Sequence, residues 1–171
     1  MITIREATKA DAALIADLSR RTFYETFAPM NRKEDMDKFM NEQFTVDLLM
    51  AEVGAAGNIF LIAENDGEPA GYVRLRMNNT PPTLEDKNSI ELARIYVTRE
   101  MIGSGMGKRL MDECFRLARE GNYNLIWLGV WEKNERALRF YKRYGFTVFA
   151  KHTFWLGNDP QDDVLMKAAV Q

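Results

Sequence analysis

This chain is poor in the residues that staple or metallate a small protein. Its 171 residues include one cysteine, Cys114, and one histidine, His152. A lone thiol excludes an internal disulfide, and the two residues together fall short of a structural zinc site, so no metal is expected. An excess of either charge is missing as well. Lys and Arg number 23 against 25 Asp and Glu, and the net charge of -2 leaves no electrostatic footprint for nucleic acid. No apolar run approaches the roughly 18–20 residues that span a bilayer, so no membrane partner is expected. The opening Met1-Ile2-Thr3-Ile4-Arg5 lacks the apolar core of a secretory signal, which points to the cytoplasm. Neither an internal repeat nor a low-complexity tract interrupts the pattern. What remains is an ordinary soluble composition, 46% hydrophobic and 28% charged, long enough to bury a core as one domain over residues 1–171.

Hydrophobic periodicity divides the chain into a helical first third and a strand-rich remainder. Residues 2–7 read as an edge strand, and Thr8-Lys9-Ala10-Asp11 as a polar helix start ahead of Ala12, Ile15, Ala16 and Leu18. The aromatic cluster Thr22-Phe23-Tyr24-Glu25-Thr26-Phe27 stops at Pro29, and helices follow at about 33–44 and 45–53. Two apolar runs, 59–63 and 70–77, flank Asn65-Asp66-Gly67, a hairpin signal. Residues 78–88, with Pro81-Pro82, read as a loop. Residues 90–97 are apolar except at Glu91 and Arg94 and suggest a central strand. A helix at 106–120, a buried strand at 125–131 and a short helix at 134–144 come next. Strands at 146–156 and 164–168 close the chain about a Gly157-Asn158-Asp159-Pro160 turn. The order predicts an α/β fold: a single mixed, mostly antiparallel sheet flanked by helices. Exposed edges in such a sheet leave room for a homodimer without requiring one.

The turn Ile102-Gly103-Ser104-Gly105-Met106-Gly107-Lys108 follows the central strand directly. Glycines at alternate positions let backbone amides converge. The helix that opens there adds unpaired N–H groups and a positive dipole end, which suit a phosphate or pyrophosphate. The same turn also serves as a glycine-relaxed connection with no ligand. Two rival phosphate signatures fail. For a Walker A loop, Ile102 stands where the first glycine belongs and Arg109 where the hydroxyl belongs. For a dinucleotide fingerprint, the third glycine comes one residue early and no acid closes the strand at 125–131.

Ala137, Phe140, Tyr141 and Tyr144 share one stripe of the short helix, with Asn134 as N-cap and Gly145 just past its end. On periodicity alone Tyr141 is a core residue. Its partnership with the turn gives it a second reading. The string Glu91-Leu92-Ala93-Arg94-Ile95-Tyr96-Val97, the glycine turn, and Trp131-Glu132-Lys133-Asn134-x-x-Ala137-x-x-Phe140-Tyr141-x-x-x-Gly145-Phe146 together resemble the acyl-CoA-binding core of the GNAT N-acetyltransferase superfamily. The resemblance covers essentially the whole chain. Within that superfamily, Thr22-Phe23-Tyr24-Glu25-Thr26-Phe27, Trp127-Leu128-Gly129-Val130-Trp131-Glu132-Lys133-Asn134 and His152-Thr153-Phe154-Trp155-Leu156-Gly157 are most similar to the bacterial spermidine/spermine acetyltransferase-like (PaiA-like) branch. One departure stands out: Ile102 occupies the position where the family usually carries Arg or Gln, which predicts weakened rather than abolished binding of CoA.

The resemblance implies transfer of an acetyl group from acetyl-CoA to a primary amine, a small polyamine-like acceptor, by direct attack on the thioester. Acetyl-CoA would lie between the strands at 90–97 and 125–131, its pantetheine on the main chain of Ile95, Tyr96 and Val97. Its pyrophosphate would meet the turn from Ile102 through Gly103, Ser104, Gly105, Met106, Gly107 and Lys108, with Asn134, Ala137 and Tyr141 completing the cofactor site. Tyr141 would serve the departing thiolate as acid, and a main-chain N–H near Val97 would face the oxyanion. Glu91, directly or through water, would take the amine's proton, since an apolar strand raises a carboxylate's pKa; His152 is a rival base. Phe23, Tyr24, Phe27 and Trp155 would flank the acceptor. Glu25, Glu85 and Asp86 would attract a polycation, although charges at such positions are more often simply solvated. Cys114, beside Leu110, Met111 and Leu117, is core. Two other readings stay open: a protein or peptide N-acetyltransferase, and a non-catalytic CoA-binding regulator, for which Ile102 is the support.

Overall fold

The computed structural model describes residues 1–85 and 87–171. Its strands are β1 (Ile2–Glu6), β2 (Asn58–Asn65), β3 (Glu68–Arg76), β4 (Ser89–Val97), β5 (Leu125–Trp131), β6 (Thr147–Leu156) and β7 (Asp159–Ala169). They form one seven-stranded sheet in the order β1-β2-β3-β4-β5-β7-β6. Every neighbouring pair is antiparallel except β4 and β5. The predicted mixed, mostly antiparallel sheet is therefore what the chain builds. Helices α1 (Ala12–Phe27), α2 (Lys33–Glu42) and α3 (Val46–Glu52) cover one face, and α4 (Met106–Glu120) with α5 (Glu135–Arg143) covers the other.

Local chemistry accounts for the joints. Asp66 and Gly67 sit at φ 52° and 87°, the left-handed pair that a two-residue hairpin requires, with Asn65 opposite Glu68. One expectation shifts. β7 starts at Asp159 rather than 164, so Pro160 lies in a strand and not in the turn. The register gives the reason: Pro160 pairs with Trp155 of β6, whereas β5 reaches β7 only from Asp163 onward. On that side no strand waits for the N–H that proline lacks.

Burial follows the layers. Leu110, Met111 and Cys114 of α4 pack on Val73, Ile126 and Met166 of the sheet. Burial pushes the Cys114 thiol's pKa up, which keeps it protonated and inert. On the opposite face, Phe23, Met36, Phe39, Phe44 and Leu156 form a second cluster.

One topological fact makes the site. β4 and β5 pair only where Ser89, Ile90 and Glu91 face Leu125, Ile126 and Trp127. Past that point each is claimed by its other neighbour: β3 follows β4 to Val97, and β7 follows β5 to Trp131. The two strands part, and a wedge opens between them. Gly71 brings α4 to its mouth. A β-carbon there would lie 3.0 Å from Met106 Sδ and 3.1 Å from the Tyr96 carbonyl, so only glycine lets the first turn of α4 rest so closely on β3.

Candidate active site

The wedge widens into a cavity of about 1040 Å³. At one end lies the glycine turn. Gly103 and Gly105 hold φ 84° and 89° with open space around them, a conformation that other residues adopt only under strain. A helix leaves its first N–H groups without intrahelical acceptors. Here Ser104 Oγ accepts from the Met106 N–H at 3.2 Å while donating to the Met101 carbonyl. The N–H groups of Gly107 and Lys108 find no acceptor among the described residues. Ile102, Gly103, Gly105, Gly107 and Lys108 line the cavity. Met106 does not: its side chain is fully buried in the core, so only its backbone belongs to the turn.

Three cations surround this end. Lys108, Arg136 and Arg143 all line the cavity. Sequence reasoning passed over both arginines. Their signal was helical spacing, since 136 and 143 lie seven residues apart on the face that also carries Phe140. Open amides at a helix start, framed by cations and a long cleft, fit a pyrophosphate-bearing ligand such as CoA.

The middle of the cavity is main chain and phenol. Ile95, Tyr96 and Val97 line it, as the sequence predicts. The Thr98 N–H donates to the Ala70 carbonyl at 2.8 Å, so strand alternation turns the Val97 N–H away from β3 and toward the wedge. Tyr141 also lines the cavity, only 9% exposed and wedged edge-on between Phe140 and Phe146. Burial raises the pKa of this phenol well above its usual range, so its O–H persists through neutral pH. The Asn134 side chain caps α5 by accepting from the Ala137 N–H at 3.2 Å, and both residues line the wall.

The far end is aromatic. Phe23, Phe27, Phe39, Phe44, Trp131 and Phe154 line it. Two predicted acceptor residues lie elsewhere. Tyr24 is 46% exposed, rotated off the inward face by the helical step from Phe23. Trp155 is 55% exposed, because strand alternation turns its neighbour Phe154 inward instead. The cation at this end is already answered: Arg94 donates to both oxygens of Glu52, at 2.6 and 3.0 Å, and lies over the Phe44 ring. Nor do the predicted acids gather here. Glu25 is occupied by Arg21 and the Arg99 N–H, Glu85 is exposed and outside the lining, and Asp86 falls outside the described residues.

The predicted base, Glu91, is not in the cavity. It sits in the paired segment below the split, 7% exposed, taking two hydrogen bonds from Arg76 (2.6 and 2.9 Å) and one from Asn79 (2.6 Å). Trp127 donates its indole N–H to the Asn79 carbonyl at 3.0 Å and tightens the same knot. A carboxylate whose oxygens are all taken up by hydrogen bonds in a paired strand is not placed to meet a substrate amine. His152 is exposed and also outside the lining. The carboxylate that does line the cavity beside the aromatic side chains is Asp163, which sequence reasoning missed. Burial raises its pKa from 3.8 to about 6, with the His152 charge opposing the shift and Asp162 adding to it. The signal was available only as an acid inside the last apolar strand.

Among known proteins, the sequence model of the acetyltransferase (GNAT) family matches residues 17–146. An uncharacterized N-acetyltransferase from the pepI 3' region of Lactobacillus delbrueckii subsp. lactis is 37% identical over 169 residues, covering 99% of this chain and 98% of that one. A spermidine N(1)-acetyltransferase from Thermoplasma acidophilum is 23% identical over 151 residues, 86% of this chain and 89% of its own. The fold matches the crystal structure of the paiA N-acetyltransferase from Thermoplasma acidophilum in complex with coenzyme A, with a TM-score of 0.78, 21% identity and 99% of both chains covered.

Proposed function

Because this chain belongs to the acetyltransferase (GNAT) family, an N-acetyltransferase with acetyl-CoA as its co-substrate, we propose that it acetylates the nitrogen of a small primary amine by direct attack on the thioester. The observation that carries this reading is the place of Tyr141, a protonated phenol in the wall of a cavity that runs from open helix-start amides to an aromatic chamber. The amine nitrogen forms its C–N bond at the acetyl carbonyl while the C–S bond breaks. An ammonium acceptor loses two protons in becoming an amide: one ends on the thiol and one in solvent. Tyr141 presents its O–H to the departing sulfur. The Val97 N–H would meet the carbonyl oxygen as charge develops on it. Lys108, Arg136 and Arg143 would hold the phosphates and take over the part that Ile102 leaves vacant.

A polyamine is the first acceptor to test, on the strength of the Thermoplasma acidophilum relative's name. The aromatic chamber qualifies that choice by asking for a carbon body beyond the reacting nitrogen. A chain that draws on acetyl-CoA works where that thioester is kept, which supports a cytoplasmic site of action. The test is thiol release from acetyl-CoA with spermidine, spermine, diamines, phenethylamine and a lysine peptide, wild type beside Tyr141→Phe. Turnover with any of the small amines that falls in Tyr141→Phe supports the proposal. Turnover with the peptide alone would favour a protein substrate, and acetyl-CoA binding with no turnover would favour a CoA-binding regulator.

A further inference from the structure

We propose that Asp163 is the catalytic residue that seats the acceptor's nitrogen and takes its proton. The inference rests on the acetyl-transfer reading above and fills the role that Glu91 vacates. Placement is the first ground. Asp163 pairs with Trp131, the last residue of β5, so it stands at the open end of the wedge. It lines the same cavity as Tyr141, and both raise the pKa of the Tyr96 phenol lying within electrostatic reach of each.

Availability is the second. Among the described residues, no cation pairs with Asp163 and no donor reaches its carboxylate. The other acids described nearby are occupied or turned out. Asp112, which also lines the cavity, is held by Lys108 at 2.7 Å at the glycine-turn end. Asp162 points to the other face of β7, where the Thr153 hydroxyl approaches it at 3.4 Å. The third ground is room. A β-carbon at Gly129 would stand 3.7 Å from Asp163 Oδ2 and 3.3 Å from Leu165, so glycine at that position leaves the carboxylate uncovered on the β5 side.

The charged groups facing it are few. His152 lies across the β6–β7 ladder and favours the ionised form; Asp162 opposes it, and Arg94 is bound up with Glu52. Burial dominates and holds the carboxyl near pH 6, so at neutral pH it is ionised yet more basic than an ordinary aspartate. In the reaction the ammonium docks on the carboxylate and gives it one proton, which passes to solvent. The freed lone pair attacks the thioester carbonyl, the C–S bond breaks, and the thiolate takes a proton from Tyr141. The nitrogen's second proton restores the phenol as the amide forms. One carboxylate among aromatic walls selects a single ammonium on an apolar or aromatic body, set against Phe27, Trp131 and Phe154.

The test compares wild type, Asp163→Asn and, as a control outside the cavity, Asp162→Asn. Acetyl-CoA binding is measured by calorimetry, phenethylamine and spermidine binding to the CoA-loaded enzyme likewise, and kcat/KM from pH 5.5 to 9. Asp163→Asn should bind acetyl-CoA as wild type does and bind phenethylamine at least about tenfold more weakly. It should lose about 10²–10⁴ in kcat/KM together with the acidic limb near pH 6; Asp162→Asn should stay within about twofold. An Asp163→Asn enzyme within about threefold of wild type, or one keeping the acidic limb, overturns the proposal. If wild type itself releases no thiol, the acetyl-transfer reading fails instead. The amine-binding comparison then decides alone: equal affinity in both proteins removes Asp163 as the seat, and a tenfold loss retains it.

Discussion

Asp163 carries a cost that its removal should relieve, and thermal unfolding can weigh it. Burial holds this carboxyl at about 6 in the folded chain against an ordinary 3.8. At 1.36 kcal/mol per pH decade, keeping it ionised costs the native state about 3 kcal/mol at most. The side chain borders an open cavity, and solvent screening brings the figure to roughly 1–2 kcal/mol. The sign follows from linkage. Because the folded pKa is raised, the native state holds the proton more tightly than the unfolded chain. Stability therefore falls as pH rises from 3.8 through about 6, and the full cost stands above that window. Asn mimics the protonated form at every pH. For a chain of this size ~1 kcal/mol moves Tm by about 2–4 °C, so Asp163→Asn should melt roughly 3–6 °C above wild type at pH 8. The gain should shrink to about half at pH 5. Circular dichroism melts at pH 8, 6.5 and 5, at fixed ionic strength and without CoA, provide the measurement. A variant no more stable than wild type at pH 8, or a gain unchanged at pH 5, would refute the half-buried, unpaired carboxylate.

Tyr141→Phe should lower kcat about 10²-fold while calorimetry finds acetyl-CoA affinity within about twofold; an equal loss in binding would return Tyr141 to a packing role. Ile102→Arg, at an exposed position on the cavity rim, should tighten acetyl-CoA binding about 3–10-fold in low salt, with most of the gain gone at high ionic strength. A salt-independent gain would contradict the electrostatic account of that position. Glu91→Gln should cost about 2–4 kcal/mol in urea unfolding, since it breaks a buried pair with Arg76, yet leave kcat/KM of the folded enzyme within about tenfold. A larger catalytic loss would make Glu91 the base after all. Gly129→Val should raise the amine KM about tenfold or more while acetyl-CoA affinity stays near wild type, because the new side chain would stand over Asp163.

What the sequence disclosed depended on how local each signal was. The glycine turn, the Asp66-Gly67 hairpin and the Asn134 cap are written in adjacent residues, and the structure places each as read. Phe23 and Phe27 were legible for the same reason, lying one helical turn apart on the inward face of α1. Tyr24 and Trp155 were misread because composition names an aromatic cluster without its phase, and one residue's shift in a helix or strand reverses the direction of a side chain. Glu91 was misread because its partners, Arg76 and Asn79, come from β3 and the loop after it, and only the β3–β4 register reveals them. Asp163 and the phosphate-end arginines were hidden by distance along the chain. Their chemistry exists only once β7 lies beside β5 and α5 faces the glycine turn.

The phenylalanines of the aromatic chamber have a second employment. Phe23, Phe39 and Phe44 line the cavity, and the same rings, their centroids 4.8–5.6 Å apart, belong to the cluster that fastens α1 and α2 to the sheet. The shape of the cavity and the cohesion of the fold are thus written in one set of atoms. A mutation that carves space for a bulkier amine also loosens the helices that shape the space, at about 3–5 kcal/mol for a buried phenylalanine cut to alanine. Drift toward new acceptors along this wall is therefore steep. The gentler path runs through Thr26 and Gln43, which border the same chamber outside that apolar cluster.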